Sequence, residues 1–121
     1  MKNTILIIDD EESIITALSL ILEDEGYNVK TMQTGNGAME YAKIIKPNII
    51  LLDVLLSGTD GRHVCKTFKL DLILQSIPII MFSAHPSAKN MSVKCGADAF
   101  LAKPFETEDL LKLLKSLLVK Q

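Results

Sequence analysis

The sequence predicts an α/β fold built on an open parallel sheet within one domain. Short β-branched runs alternate with longer segments of helical spacing, which is the pattern of successive βαβ units. The chain has 121 residues, a length that suits one domain with one sizeable core. It is 48% hydrophobic with a net charge of −2, so it has the composition of a soluble globular protein without a basic surface for direct binding of nucleic acid.

The strands are predicted from five short apolar runs. They lie near residues 4–8, 28–32, 48–52, 78–82 and 98–101. Pro78 opens the fourth strand, where a missing N–H is tolerated.

Helices are predicted between these strands. The first covers about 12–25, because apolar residues from Ile14 to Leu22 recur at helical spacing and Gly26 is a good C-terminal stop. A second fits 37–45, before Lys46-Pro47, and a third fits 61 to about 69. The last helix directs four leucines inward, namely Leu110, Leu113, Leu114 and Leu117.

Polar residues terminate four of the five apolar runs. They are Asp9 and Asp10, Asp53, Ser83 and Lys103. In an open parallel sheet, ligands bind at the carboxyl ends of the strands, so these side chains are expected to meet in one crevice. Three carboxylates, a hydroxyl and an ammonium together indicate a phosphoryl and metal site.

The chemistry of such a site follows from its charges. Three close carboxylates repel one another, and a hard divalent cation such as Mg²⁺ relieves that conflict because it prefers oxygen ligands. Lys103 is placed to neutralise charge on a phosphoryl group. Asp53 stands alone between the acidic pair and the Ser83 and Lys103 side, so it is the natural nucleophile and would form an acyl phosphate.

Four segments resemble the receiver domain of two-component response regulators. They are Ile7-Ile8-Asp9-Asp10-Glu11, Leu51-Leu52-Asp53 with the stretch to Gly61, Met81-Phe82-Ser83-Ala84, and Gly96 to Phe105 with Lys103-Pro104. The resemblance covers essentially the whole chain. It implies one receiver domain over residues 1–121. The fold would be doubly wound, flavodoxin-like and CheY-like, with a parallel sheet of five strands in the order 2-1-3-4-5 and five flanking helices.

The resemblance also implies a signalling role rather than an enzymatic one. Asp53 would accept a phosphoryl group from a histidine kinase or a histidine phosphotransfer protein, and the domain would then control a downstream protein or a fused output domain. Asp10, Asp53 and the backbone carbonyl of Leu55 would ligate Mg²⁺, with Asp9 acting largely through bound water.

Further positions take roles from the same resemblance. Lys103 would pair with the phosphate and Ser83 would donate a hydrogen bond to it. Phe100, three residues before Lys103, occupies the aromatic switch position. The peptide bond before Pro104 would be cis, which is physically reasonable in a tight turn.

Two departures from the family pattern affect the expected structure. Ser57 stands where receivers commonly have proline, which frees the loop that carries Leu55. The segment from Ser83 to Gly96 is a residue or two shorter than usual and contains Pro86, so the fourth helix is expected to be short or irregular.

Other interpretations of the same residues remain open. Asp9 or Asp10 would serve equally as a helix cap, Ser83 as a turn hydroxyl and Lys103 as a solvated side chain. A Mg²⁺-dependent phosphohydrolase of the haloacid dehalogenase type needs a second acid two residues after the nucleophile, where this chain has Leu55. A flavodoxin-like redox module would not favour an acidic first loop. The main alternative is a receiver-fold interaction module whose phosphorylation is vestigial.

The remaining features concern location and assembly. The N-terminal apolar run is too short for a signal sequence or a membrane span, which predicts a cytoplasmic protein without membrane contact. Cys65 and Cys95 have no metal-binding spacing and are expected to be buried free thiols. Leu111 and Leu118 widen the apolar stripe of helix five, which allows a homodimer through that helix.

Overall fold

The secondary structure alternates between strands and helices. The computed structural model describes residues 2–56, 59–85 and 88–119. Its strands are Thr4–Ile8 (β1), Asn28–Met32 (β2), Ile49–Asp53 (β3), Leu55–Leu56 (β4), Thr59–Asp60 (β5), Ile79–Ser83 (β6) and Ala99–Ala102 (β7). Its helices are Glu12–Asp24 (α1), Ala38–Ile45 (α2), Gly61–Leu70 (α3), Ala88–Cys95 (α4) and Thr107–Val119 (α5).

Five of the strands form one parallel sheet, in the order β2-β1-β3-β6-β7. This confirms the predicted order, because β6 and β7 are the fourth and fifth strands of the sheet in chain order. Strand β1 pairs on both sides, with Ile5 opposite Val29 of β2 and Ile49 of β3. The chain runs from β1 to β2 on one side of β1 and then returns to β3 on its other side. The carboxyl ends of β1 and β3 therefore leave a crevice at the point where the strand order reverses.

The last three sheet strands begin one residue later than the sequence predicts. The ladder pairs Asp53 with Phe82, so Asp53 belongs to β3 instead of following it. Pro78 has no N–H and only accepts a hydrogen bond, of 3.0 Å from the Ile50 N–H, so the β6 ladder starts at Ile79. Ser83 is accordingly the last residue of β6.

Helices cover both faces of the sheet and create two cores. Leu22 of α1 and Leu114 of α5 are buried on one face, and Ala42 of α2, Phe68 of α3 and Cys95 of α4 are buried on the other. The bounds of the first three helices agree with the sequence predictions to within one residue at each end. In the part of the chain that the structure describes, no helix is long and apolar enough to cross a lipid bilayer.

The fourth helix is short, as predicted, with eight residues. The predicted effects of Ser57 and Pro86 fall outside the described residues. Cys65 and Cys95 are both buried and free, which confirms the expectation for the two thiols.

A small antiparallel hairpin of β4 and β5 was not expected from the sequence. Leu55 pairs with Asp60 across it. Strands of two residues are too short to show the alternation by which a strand is recognised. The hairpin begins two residues after Asp53 and carries Leu55 at the edge of the crevice.

Candidate functional site

Three carboxylates meet at the carboxyl ends of β1 and β3. One oxygen from each of Asp9, Asp10 and Asp53 lies within 4.8 Å of the other two. Asp9 is fully buried, Asp53 is 4% exposed and Asp10 is half-buried. This places together the three acidic residues that the sequence analysis selected, because β1 and β3 are neighbours in the sheet and end at the same edge.

Backbone groups hold two of these carboxylates in place. The Glu11 N–H donates to Asp9 Oδ1 at 2.8 Å, and the Leu55 N–H donates to Asp53 Oδ1 at 3.2 Å. The N-cap residue of α1 is Glu11, which makes no side-chain cap, so neither Asp9 nor Asp10 occupies the capping position. The interpretation of the acidic pair as a simple helix cap is therefore wrong.

Lys103 reaches the cluster from the end of β7. Its Nζ lies 3.4 Å from Asp9 Oδ2 and 3.7 Å from Asp53 Oδ2. The same ammonium lies 4.7 Å from the centre of the Phe82 ring, a distance typical of a cation–π contact. Phe105 packs edge-on against Phe82, with ring centres 6.3 Å apart at an angle of 82°. The Lys103–Pro104 peptide bond is cis.

The two aromatic residues around Lys103 were missed by the sequence analysis. Phe82 was assigned only to an apolar strand and a motif, and Phe105 only to a motif. The available signal was their position, since Phe82 precedes Ser83 and Phe105 lies two residues after Lys103. Together they fix the ammonium over the carboxylates.

Burial of Asp53 raises the pKa of its carboxyl to about 6 from an ordinary value of 3.8. The positive charge of Lys103 lowers that pKa, and the negative charges of Asp9 and Asp10 raise it. By charge alone, one lysine offsets only one of the three carboxylates of the cluster. The cluster has the electrostatic character of a site for an additional cation.

The donor set fits Mg²⁺. This ion takes oxygen ligands at about 2.1 Å, so ligands on its opposite sides lie about 4.2 Å apart, close to the spread of the three carboxylate oxygens. Leu55 follows Asp53 by two residues and is held to its carboxylate through the backbone N–H. The residues present are therefore suitable for a hard divalent cation.

Ser83 lies at the same edge of the sheet and is 3% exposed. Its Oγ accepts a hydrogen bond of 3.0 Å from the His85 N–H, as a turn hydroxyl does. Its carbonyl accepts one of 2.9 Å from the Lys103 N–H, which joins the ends of β6 and β7. The structure thus places Ser83 and Lys103 side by side.

Phe100 lies away from the carboxylates. It pairs with Met81 across β7 and β6, is half-buried and packs against the core beneath α2, α3 and α4. From this place under the helices, the Phe100 side chain would follow a movement of α4. Phe100 is not part of the carboxylate cluster.

Gly61, the first residue of α3, contacts the backbone at the end of β3. A Cβ at this position would lie 2.1 Å from the Asp53 carbonyl oxygen and 2.8 Å from the Val54 carbonyl oxygen. The Gly61 N–H donates to that Val54 oxygen at 2.9 Å. Gly61 was expected from the sequence only to start a helix and to end one of the four motif segments, so this supporting contact was not predicted.

Comparison with known proteins agrees with the geometry. A family model described as the response regulator receiver domain matches residues 5–115. One similar protein is PhoP of Bacillus subtilis, a transcriptional regulatory protein for alkaline phosphatase synthesis. The two sequences are 38% identical over a region that covers 98% of this chain and 49% of PhoP. The receiver domain of a Syntrophus aciditrophicus histidine kinase has a TM-score of 0.90 at 32% identity, covering 98% of this chain and 91% of that one.

The chemotaxis protein CheY4 of Vibrio cholerae is also similar, with a TM-score of 0.88 at 30% identity, covering 97% of this chain and 99% of that one. Both solved structures match almost the whole chain, whereas PhoP extends well beyond the matched region. Since the family model, the fold and the strand-end carboxylates all agree, the chain belongs to the response regulator receiver domain family.

Proposed function

We propose that Asp53 accepts a phosphoryl group and that this modification switches the domain in two-component signalling. The observation that supports this most strongly is the cluster of Asp9, Asp10 and Asp53 beneath the Lys103 ammonium. The positive charge of Lys103 beside these carboxylates would reduce the repulsion between an incoming phosphoryl group and the Asp53 carboxylate. The protein acts as a signalling module, and the phosphodonor is a histidine kinase or a histidine phosphotransfer protein.

The transfer step needs only one new covalent bond. A carboxylate oxygen of Asp53 attacks the phosphorus, the bond from phosphorus to the leaving nitrogen of phosphohistidine breaks, and a proton returns to that imidazole. The product is an acyl phosphate on Asp53. Lys103 stays near enough to pair with the phosphoryl oxygens, since it already lies 3.7 Å from Asp53 Oδ2.

Asp10, Asp53 and the Leu55 carbonyl are the proposed Mg²⁺ ligands, with Asp9 acting largely through water. The bound ion would reduce repulsion between the incoming phosphoryl group and the carboxylates. Asp9 has a second task, because it holds the Glu11 N–H and pairs with Lys103. It therefore orients the lysine as well as the acidic turn.

The response is a shift between two loop arrangements. A phosphoryl group on Asp53 would accept hydrogen bonds from Ser83 and Lys103, each worth roughly 1.5–3 kcal/mol, which is enough to make a minor state dominant. Ser83 is followed closely by α4, so its movement would be passed to that helix and to Phe100 beneath it. A downstream protein or a fused output domain would read this change in the cytoplasm.

Labelling with a small phosphodonor tests the proposal. Acetyl phosphate should add one phosphoryl group to the parent protein in the presence of Mg²⁺ and much less in the presence of a chelator. Mass spectrometry of the intact protein and of its peptides should place the group on Asp53. A protein that remains unlabelled with Mg²⁺ and acetyl phosphate would instead support an interaction module with vestigial phosphorylation.

Replacement of Lys103 should separate metal binding from switching. We expect Lys103→Ala to bind Mg²⁺ at least as tightly as the parent, because it removes a cation that lies 3.4 Å from Asp9 and 3.7 Å from Asp53. Titration calorimetry measures the affinity. The beryllofluoride-induced NMR shifts around α4 should become weak, while Lys112→Ala, at an exposed site on α5, should leave both readouts unchanged. Loss of Mg²⁺ binding in Lys103→Ala would contradict this assignment.

The lifetime of the phosphate should depend on Leu55. Its side chain is 58% exposed and lies two residues after Asp53, beside the path that water must take to the phosphorus. We expect Leu55→Asn to shorten the lifetime severalfold, because an amide orients a water that leucine excludes. Loss of the label after removal of the donor gives the rate, with Leu72→Asn as a control on an exposed leucine elsewhere. An unchanged or longer lifetime would count against this role of Leu55.

A homodimer through α5 stays a prediction. Leu111 and Leu118 are half-buried and pack against the core beneath α5, so they serve that core whether or not they also form an interface. We expect sedimentation to show a dimer of the parent with beryllofluoride and a monomer of Leu111→Glu. Ser116→Glu, at an exposed position of α5, is the matched control. If the parent is monomeric in each condition, these leucines are only core.

A further inference from the structure

Two sulfur atoms meet between α4 and the sheet, and a third, on α3, lies beside them. The Cys95 Sγ lies 3.4 Å from the Sδ of Met81, and the Cys65 Sγ lies 3.5 Å from the Cys95 carbonyl oxygen. The Cys65 sulfur therefore contacts the Cys95 residue itself. Cys65 lies within α3 and Cys95 ends α4, so this contact joins two helices through residues that are 30 positions apart in the chain.

The two thiols differ in access to solvent. Cys65 is fully buried, while Cys95 retains 8% exposure and lines an open groove between α3 and α4. The groove has a volume of about 440 Å³. A reagent in the groove therefore meets Cys95 before the fully buried Cys65.

The groove beside Cys95 is basic. Its other lining residues are Asp60, Arg62, His63, Lys66 and Lys94. Asp60 is paired with Arg62. Lys66 and Lys94 then leave an excess of positive charge, which attracts anionic reagents.

We propose that Cys95 and Cys65 form a redox-modifiable dithiol that takes an anionic low-molecular-weight disulfide as its oxidant. The Cys95 thiolate attacks one sulfur of the reagent, whose S–S bond breaks to release one thiolate and leave a mixed disulfide on Cys95. The Cys65 thiol then loses its proton and attacks the Cys95 sulfur, which releases the second reagent thiol. Two protein thiols are oxidised to one disulfide, and one reagent disulfide is reduced to two thiols.

The contact of the Cys65 sulfur with the Cys95 residue is what makes the second step possible. A disulfide needs a sulfur–sulfur distance of about 2.05 Å, and the Cys65 Sγ already lies 3.5 Å from the Cys95 carbonyl oxygen within one packed core. Closure would connect α3 to α4 covalently. Because α4 follows the segment after Ser83, such a link would act on the same helix that the phosphoryl switch is proposed to move.

Oxidised glutathione, which is anionic, is the probe for the first test. The folded parent should lose two hydrogen atoms in intact mass and regain them with dithiothreitol. Early samples quenched with an alkylating reagent should carry the glutathionyl group on Cys95 and not on Cys65. A parent that reacts only after unfolding in urea, or that is modified first on Cys65, would overturn the proposal.

Single-cysteine variants test the order of the steps. Cys65→Ala should stop at a persistent mixed disulfide on Cys95, and Cys95→Ser should react at least about tenfold more slowly than the parent. Circular dichroism checks that each variant is folded. If a variant does not fold, the quenched samples of the parent still show which cysteine reacts first. Accumulation of a stable mixed disulfide in the parent itself would refute the resolving role of Cys65.

Paired charge variants test the groove. Lys66→Gln with Lys94→Gln should slow the reaction with oxidised glutathione about three- to tenfold at low salt, but not the reaction with neutral hydroxyethyl disulfide. Lys112→Gln with Lys115→Gln on α5 removes the same charge at exposed sites and should change neither rate. Equal slowing by both pairs would overturn the role of the groove.

Asp53→Asn should react with oxidised glutathione like the parent, so the thiol chemistry stands or fails separately from phosphorylation.

Discussion

Asp53→Asn is expected to abolish phosphoryl labelling by acetyl phosphate. An amide oxygen is a poor nucleophile, so the acyl phosphate cannot form at this position. The substitution keeps the size of the side chain and its place at the end of β3, and the fold should remain intact. Mass spectrometry that still finds a phosphoryl group on residue 53 of the variant, or undiminished labelling at another site, would contradict the assignment of Asp53.

The same substitution should stabilise the protein when Mg²⁺ is absent. Asp53 has a pKa of about 6 in the folded protein against an ordinary 3.8, so the folded state binds more protons than the unfolded state between these values. Stability of the parent therefore falls as the pH rises through this window, and the cost is fully present above it. Asparagine does not titrate and avoids that cost.

We expect Asp53→Asn to raise the free energy of unfolding by roughly 1–3 kcal/mol at pH 7 in a chelator. The difference should shrink towards zero below pH 4 and should also shrink when Mg²⁺ is added to the parent. Urea denaturation at both pH values measures it. Asp24→Asn, at the exposed end of α1, serves as the control and should change stability little at either pH. Equal stability of Asp53→Asn and the parent at pH 7 would show that the carboxylates are not in conflict.

The positions of the charged side chains could be predicted from sequence because a simple rule connects them. Asp9 and Lys103 are 94 residues apart, yet both follow apolar runs that become parallel strands, and parallel strands end at one edge. The rule needs only the order of the runs and no side-chain detail. For this reason the carboxylate cluster and its lysine were foreseen.

The supporting contacts could not be predicted in the same way. The Phe82 ring lies under the Lys103 ammonium because of where these two side chains point from β6 and from the end of β7, and a hydrophobic pattern does not show this. The β4–β5 hairpin is too short to have a pattern of its own. The contact of Gly61 with Asp53 depends on where α3 packs against β3, which is a tertiary property.

Gly61→Ala is expected to damage both stability and the site. The added methyl group would lie 2.1 Å from the Asp53 carbonyl oxygen, and the atoms it meets are backbone atoms of residues 53 and 54, which cannot rotate away. Alanine is favoured over glycine within a helix by about 1 kcal/mol, but overpacking of this kind costs about 3 kcal/mol, so the net effect should be destabilising. Relief of the contact would move α3 or the end of β3.

Because Asp53 belongs to that strand end, the labelling rate of folded Gly61→Ala should fall about tenfold or more, since small displacements of reacting groups have large effects on rate. Gly26→Ala is the matched control. Its φ of +93° is strained for alanine, but a Cβ there meets nothing within 4 Å, so it should lower stability by about 1 kcal/mol and leave the labelling rate unchanged. Parallel urea melts and labelling time courses at a temperature where both variants are folded distinguish the two effects. If Gly61→Ala labels as fast as Gly26→Ala, then the approach of α3 to β3 does not position the nucleophile.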